Sequence, residues 1–566
     1  MNFRKEIAHI LKTELSKFDI EELETMIEIP PNTEMGDYAF PCFKLAKEFR
    51  KSPNEIAKEL AEKLKIEASI ERIISLGGYV NFFINKEIWA SAIIERVISE
   101  QENFGRSNFG KKKNTLIEFS SPNIAKPFHI GHIRTTVIGH SLFRIYDFMG
   151  FNAIALNHLG DYGTQFGKLI VAFKKWGDRE VIEKDPINEL LKIYVHFHQE
   201  AEKDPELEDQ ARYWFKKLED GDEEAYSLWK WMRDVSLKEF ARVYDILGIR
   251  FDSFNGESFY SDKMPKVIEE MKEKGILQDS QGAKIVDLEE YGMPPALIMK
   301  KDGSTLYITR DLAAAIYRKE TYDFFKNVYV VGTPQELHFR QWKKVLELMG
   351  HEWAKDCIHV QFGTVSLEDG SLSTRQGRVV FLEDVLNKAI DKTKEIIREK
   401  NPNLEDIDHV AKQVGVGAIV YQELSNSRIK DYQFSWERTL SFEGETGPYI
   451  QYAHARCCSL LEKSGISAGK DIDYGVIAKN SDAMEIIRVL TSIDDVLMRA
   501  YQKNEPHHIA GFAFELAQAF NKFYHDNHIL TESDQVQRAY ISLVDCVRVG
   551  LQNSLYLLGI ESPKKM

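Results

Sequence analysis

Residues 115–134 read TLIEFSSPNIAKPFHIGHIR: an apolar run holding a carboxylate, a proline-bearing loop, then two histidines three apart where the helical pattern IRTTVIGHSLFRIYDFMG begins. A second apolar run, NAIALNHLG, follows at 152–160. This order leaves few choices, because two strands joined by a helix run parallel and the helix crosses one face of their sheet. Gly150 ends the helical pattern as a C′ residue should. The stretch therefore predicts a βαβ unit. In an open parallel sheet a ligand sits beyond the carboxyl ends of the strands, where the next helix starts, and the two histidines lie at such a place.

A helix start carries unpaired N–H groups and roughly half a positive charge, so it favours phosphate. His129 and His132, at i and i+3, share one face of the first turn. Gly131 between them lacks the Cβ that would keep a base or sugar off the backbone. Imidazoles there suit phosphoryl or nucleotidyl transfer, with each charge-assisted bond worth roughly 1.5–3 kcal/mol. On spacing alone the pair also fits ordinary polar residues at a helix start. No GxxxxGK[ST] loop is present, so a nucleotide site here is of another kind.

At 566 residues the chain predicts three or four domains, each with its own core. Apolar residues at 43% and charged residues at 29% fit a soluble globular protein, and no run approaches the ~20 apolar residues that span a bilayer. The opening MNFRKEIAHILKTELSKF reads as an amphipathic helix and not a signal peptide, which points to the cytosol. The five cysteines are scattered, without spacing that would hold zinc, and read as buried free thiols. The net charge, 74 minus 88 or −14, argues against nucleic acid only weakly, because an acidic protein can still present a basic face. Lys111, Lys112 and Lys113 fit either such a face or a solvated linker.

Residues 1–110 read as a small α+β domain, in which Ser52-Pro53 marks a helix start and YVNFFI a strand. Residues 111–365 carry the βαβ pattern, interrupted by a helical insertion at about 170–250. Strand-like runs return at KIVDL, ALIMK, NVYVVG and IHVQFGTV. Residues 366–440 connect to a helical region, 441–566, that predicts an all-α domain.

The stretch FSSPNIAKPFHIGHIR, followed by GDYGTQFG, TRDLAAA, GTPQELHFRQ, FGTVSLEDGSLSTRQGR and GPYIQYAHAR, resembles the arginyl-tRNA synthetases, a class I aminoacyl-tRNA synthetase family. The resemblance runs from GDYAFPCFKLAK to SLYLLGIESP. It implies an α/β Rossmann-like catalytic core with a helical insertion, an N-terminal α+β domain and a C-terminal all-α anticodon-binding domain. It also implies activation of L-arginine with ATP and Mg²⁺, release of pyrophosphate, and transfer to the 2′-hydroxyl of the terminal adenosine of tRNA. The family typically activates its amino acid only with tRNA present, and it is expected to act as a monomer without a structural metal.

By resemblance, His129 and His132 hold the ATP phosphates, and Gly131, Gly160, Asp161 and Gly163 lie by the nucleotide. Glu118 and Asp311 would clamp the guanidinium with Tyr307 beside it, while Ser121, Asn123, His129 and Gln335 would hold the α-amino and carboxylate end. Five fixed donors on a planar group call for carboxylates in such a site. A site built on hydrogen bonds rejects analogues by ~10⁴ to 10⁵, so no editing domain is expected.

The second class I signature, KMSKS, is altered to SLSTRQG. Ser371 and Thr374 take the two lysine positions, and Gln376 stands where many relatives have another lysine. Arg375 and Lys126, the latter three residues before His129, are expected to share the missing charge. Tyr79, Asn81 and Phe82 offer stacking and hydrogen bonds to an unpaired tRNA base, although an aromatic strand also fits plain core. Two rival readings stay open at this point: a small-molecule nucleotidyltransferase or ligase with the same HxGH core, and a tRNA-binding paralogue that has lost its chemistry.

Overall fold

The computed structural model describes residues 2–301, 305–367, 380–530 and 532–566. They form two compact units. One comprises the chain up to Phe104 with Arg456–Ile493 and Glu515–Leu551; the other comprises Gly105–Ala455, Asp494–Phe514 and Gln552–Met566.

In the first unit a three-stranded antiparallel sheet has Tyr79–Ile84 at its centre, flanked by Tyr38–Pro41 and Ile70–Leu76. The helix Pro53–Lys63 starts as its sequence dictates. Ser52 Oγ accepts the Glu55 N–H at 3.3 Å while a Glu55 oxygen accepts the Ser52 N–H at 3.0 Å, a reciprocal cap worth about 1 kcal/mol. Phe82 is 0% exposed and Asn81 is buried beside it. That corrects the expectation that both contact RNA, because a ring sealed in a sheet core cannot stack on a base. Tyr79, at the strand's start, is half-buried and packs edge-on against exposed Phe43 at 5.2 Å.

In the second unit four parallel strands lie in the order Cys357–Phe362, Lys326–Gly332, Asn114–Glu118, Asn152–Leu156. The helix Ile133–Phe148 makes the crossover between Asn114–Glu118 and Asn152–Leu156, and Gly150 closes it at φ 85°. It lies so close to the sheet that a Cβ on Gly139 would come within 2.1 Å of Phe119. After the edge strand the chain passes to the other side of Asn114–Glu118, to Lys326–Gly332. The reversal makes the carboxyl ends of these two neighbours the switch point of the sheet.

The excursion between the two halves begins with the helices Thr164–Trp176, Arg179–Lys184, Pro186–Ala201, Glu206–Glu219 and Glu223–Leu247. It then forms a separate antiparallel sheet from Leu277–Ser280, Ala283–Val286 and Ala296–Met299. The runs KIVDL and ALIMK therefore do not rejoin the parallel sheet. Gln281 and Gly282, at φ 51° and 84°, make a two-residue hairpin turn, and so short a link only joins antiparallel strands. The later part of the chain is helical, including Leu382–Lys400, Ile407–Leu424, Gly447–Ser464, His507–Asp526 and Asp534–Leu558. Among the described residues no helix is long and apolar enough to cross a membrane.

Candidate active site

His129 caps a turn of 3₁₀ helix, Ile130–His132, that leads into Ile133–Phe148. Three residues per turn eclipse i and i+3, and the two imidazoles lie with centroids 4.0 Å apart. His129 Nδ1 accepts the Gly131 N–H at 3.1 Å. The His129 N–H, aimed at His132 Nδ1 at 3.2 Å, decides that ring's tautomer over the His129 carbonyl at the same distance. Burial lowers the pKa of His129, and burial together with the neighbouring His129 pushes His132 down to about 3. Both rings are therefore neutral at pH 7 and present Nε2–H as a donor. Gly131 also serves the cap. Its missing Cβ would lie 2.9 Å from the His129 ring, so the space serves the cap itself.

The loop before the turn is held against its own preference. Ser120, Ser121 and Ala125 have φ of 70°, 46° and 57°, a region that L-residues avoid at a cost of order 1 kcal/mol or more each. The helix Glu223–Leu247 holds Ser120 and Ala125 there. Ser120 Oγ and Tyr244 Oη are 2.8 Å apart, and the Ala125 N–H donates to Ser236 Oγ at 3.1 Å. Gly160 exchanges backbone bonds of 3.1 Å with Pro122 and Ile124, and a Cβ on it would come within 2.1 Å of Asn123 Oδ1. Asn123 is exposed, and Ser121 Oγ is buried without a hydrogen-bond partner among the described residues. Half-buried Lys126 has its pKa lowered by burial alone, with no carboxylate bonded to it among the described residues.

The facing wall belongs to the helix Tyr307–Tyr322 and the turn Thr333–Gln335, which follows the strand Lys326–Gly332. Tyr307 is 63% exposed, with the Arg310 guanidinium 4.7 Å beneath its ring and 5.2 Å from that of Tyr162. Arg310 in turn lies 3.7 Å from Glu257, whose carboxyl burial pushes up to about 7 against the pull of Arg310. Asp311 Oδ2 bonds to His338 Nε2, and Gln335 is exposed.

Two expected ligand carboxylates are engaged by the chain itself. Glu118, at the end of its strand, is buried and ion-paired to buried Arg318 at 2.5 Å. Asp161 is 0% exposed; it accepts from Ser258 N–H and Oγ at 2.9 Å and from Arg233 at 3.1 Å. That corrects its reading as a nucleotide contact, since no face of its carboxylate reaches solvent. Gly163, at φ 125°, precedes the helix Thr164–Trp176 with open space where a Cβ would point.

Ser371, Thr374, Arg375 and Gln376 lie outside the described residues, yet the chain just after them is stitched to the histidine turn. Ile130 N–H donates to Val380 O at 3.0 Å, and Leu382 N–H to Phe128 O at 2.9 Å. Just before them, Val365–Leu367 pairs with Tyr432–Phe434. The Tyr432 hydroxyl donates to Glu423, which pairs with Arg134 at 3.4 Å, two residues past His132. Sequence reasoning missed Tyr244, Ser236, Arg318, His338 and the Arg134–Glu423 pair. Only the histidine in GTPQELH had a local signal, three residues after Gln335. Among the described residues no group of three or more His, Cys, Asp or Glu side chains is placed to hold a metal ion.

Residues 93–436 match the family model of the catalytic domain of class I (R) tRNA synthetases. Residues 450–566 match the DALR anticodon binding domain, and 3–84 the arginyl tRNA synthetase N-terminal domain. Curated arginine–tRNA ligases of Clostridioides difficile and Halothermothrix orenii are 63% and 61% identical to the chain, each covering 100% of both sequences. The solved arginyl-tRNA synthetase of Thermus thermophilus has the same fold, with a TM-score of 0.84 at 24% identity and 100% of both chains covered. With a parallel sheet whose switch point carries the histidine turn, and with relatives matched from end to end, the chain belongs to the class I arginyl-tRNA synthetases.

Proposed function

We propose that the protein joins L-arginine to its tRNA in two steps. In the first, an oxygen of the arginine carboxylate attacks the α-phosphorus of ATP, the bond from that phosphorus to the bridging oxygen breaks, and pyrophosphate leaves. In the second, the 2′-hydroxyl of the terminal adenosine attacks the acyl carbon and AMP leaves. The reading rests on family membership, and the neutral histidine pair at the sheet's switch point carries its chemistry.

The Nε2–H groups of His129 and His132 donate to phosphate oxygens as charge builds on them, and as neutral donors already fixed in place they need no reorganisation. Lys126 adds a positive charge, shared with Arg375. Gly131, Gly160 and Gly163 leave room for the nucleotide beside these groups. Asp311 receives the guanidinium with Tyr307 along its face, and Glu118 contributes the oxygen that Arg318 leaves. Ser121, Asn123, His129 and Gln335 hold the other end of the amino acid. The Ser121 hydroxyl, buried without a partner among the described residues, supports this, because such a group is costly until a ligand meets it.

Mg²⁺ enters with the ATP phosphates as part of the substrate. Residues 111–365 carry the chemistry, 366–440 the altered signature loop, and 1–110 and 441–566 the tRNA contacts, with Tyr79 in the first of these. The protein works as a cytoplasmic monomer. Charging of tRNA with labelled arginine by the purified chain tests the reading: arginine-specific, ATP-dependent charging is expected, and its absence with folded protein would refute it.

A further inference from the structure

Glu118, Asp161, Glu257 and Asp311 are carboxylates on the segments around the helix Tyr307–Tyr322 and the carboxyl end of the sheet. Three are already met by a guanidinium of the chain: Glu118 by Arg318 at 2.5 Å, Asp161 by Arg233 at 3.1 Å and Glu257 by Arg310 at 3.7 Å. Asp311 differs. Among the described residues no lysine or arginine pairs with it, and its Oδ2 is bonded to His338 Nε2. Both side chains keep about a quarter to a third of their surface open, 26% for His338 and 32% for Asp311.

The difference in partner matters chemically. A guanidinium brings a carboxylate a fixed positive charge and up to two parallel N–H bonds, whereas the His338 imidazole meets Asp311 through the single nitrogen Nε2, at Oδ2. A substrate guanidinium brought to Glu118 meets Arg318 as a like charge, while at Asp311 it meets an anion already oriented. His338 also lies in the first turn of Glu336–Met349, three residues beyond Gln335, so the bond ties the two ends of the amino-acid site together.

We propose that His338 is a specificity-determining positioning residue, which holds Asp311 through Nε2–H so that the carboxylate stays aimed at the guanidinium of the substrate. The inference rests on the assignment of Asp311 given above.

The test is steady-state aminoacylation with the full chain and tRNA, measuring kcat and the KM values for arginine and ATP. His338→Ala is expected to raise the KM for arginine about tenfold, the worth of one hydrogen bond to a charged group, with kcat and the KM for ATP within about twofold of the parent. His338→Gln, a neutral donor, should restore most of the loss. His338→Arg, which brings a fixed cation, should raise the KM for arginine roughly 100-fold, as far as Asp311→Asn does. If Asp311→Asn raises that KM while His338→Ala and His338→Arg leave it unchanged, the role of His338 is overturned. The same holds if His338→Ala moves the KM values for arginine and ATP together, or if His338→Gln is no better than His338→Ala. A normal KM in Asp311→Asn would instead overturn the assignment of Asp311.

Discussion

His132 Nδ1 accepts the backbone N–H of His129 at 3.2 Å, so the capping histidine fixes the ring of the one three residues on. With that nitrogen occupied and the pKa of the ring at about 3, catalysis uses a neutral donor. His132→Ala should lower kcat by about 10² to 10³, the usual effect of removing one donor to a developing anion. His132→Gln, which keeps an N–H near the place of Nε2, should retain more activity. Equal losses in the two variants, measured as single-turnover adenylate formation, would contradict the donor role.

Lys126 has no carboxylate bonded to it among the described residues, and burial disfavours its charge, so a phosphate is the partner that repays its placement. Lys126→Ala should reduce ATP–pyrophosphate exchange about 100-fold with the KM for arginine nearly unchanged. Intact exchange would show that it does not replace the lysines missing from SLSTRQG.

Tyr79 and Phe82 separate RNA contact from core. Phe82→Ala should destabilise the first unit by about 3–5 kcal/mol, as deletion of a buried ring does. Tyr79→Ala should leave thermal unfolding nearly unchanged and raise the KM for tRNA severalfold. A normal KM for tRNA in a folded Tyr79→Ala protein would remove this strand from the tRNA surface.

Buried Glu423 has its carboxyl pushed up to about 7 by burial, against the pull of Arg134 and the hydrogen bond from Tyr432. The folded state therefore holds this proton more tightly than the unfolded chain, whose value is about 4.5. Its effect is absent below pH 4.5, and it destabilises the fold progressively as pH rises to 7, on the order of 3 kcal/mol in all. Glu423→Gln should thus gain thermal stability relative to the parent between pH 5 and pH 8. A difference that does not change with pH would contradict this.

Local sequence carried the frame of the site. The strand, loop and helix from 114 to 148 follow from hydrophobic period and Gly150, and Tyr307 and Asp311 do share a helix. What stayed hidden depends on partners far away in the chain. Glu118 is engaged by a residue 200 positions on, and Asp161 by Ser258 and Arg233; neither pairing leaves a trace in local periodicity. The insertion read as a helical interruption, yet its Ser236 and Tyr244 hold the strained loop ahead of His129. KIVDL and ALIMK had the right strand pattern, and the Gln281-Gly282 turn between flanking runs was the signal for their antiparallel sheet.

The most direct test is ATP–pyrophosphate exchange with arginine and with citrulline, its neutral near-isostere, each with and without tRNA. A site built on Asp311 should give exchange with arginine that depends on tRNA, and should reject citrulline by ~10⁴. Comparable exchange with both amino acids, or none with arginine when tRNA is present, would contradict the account.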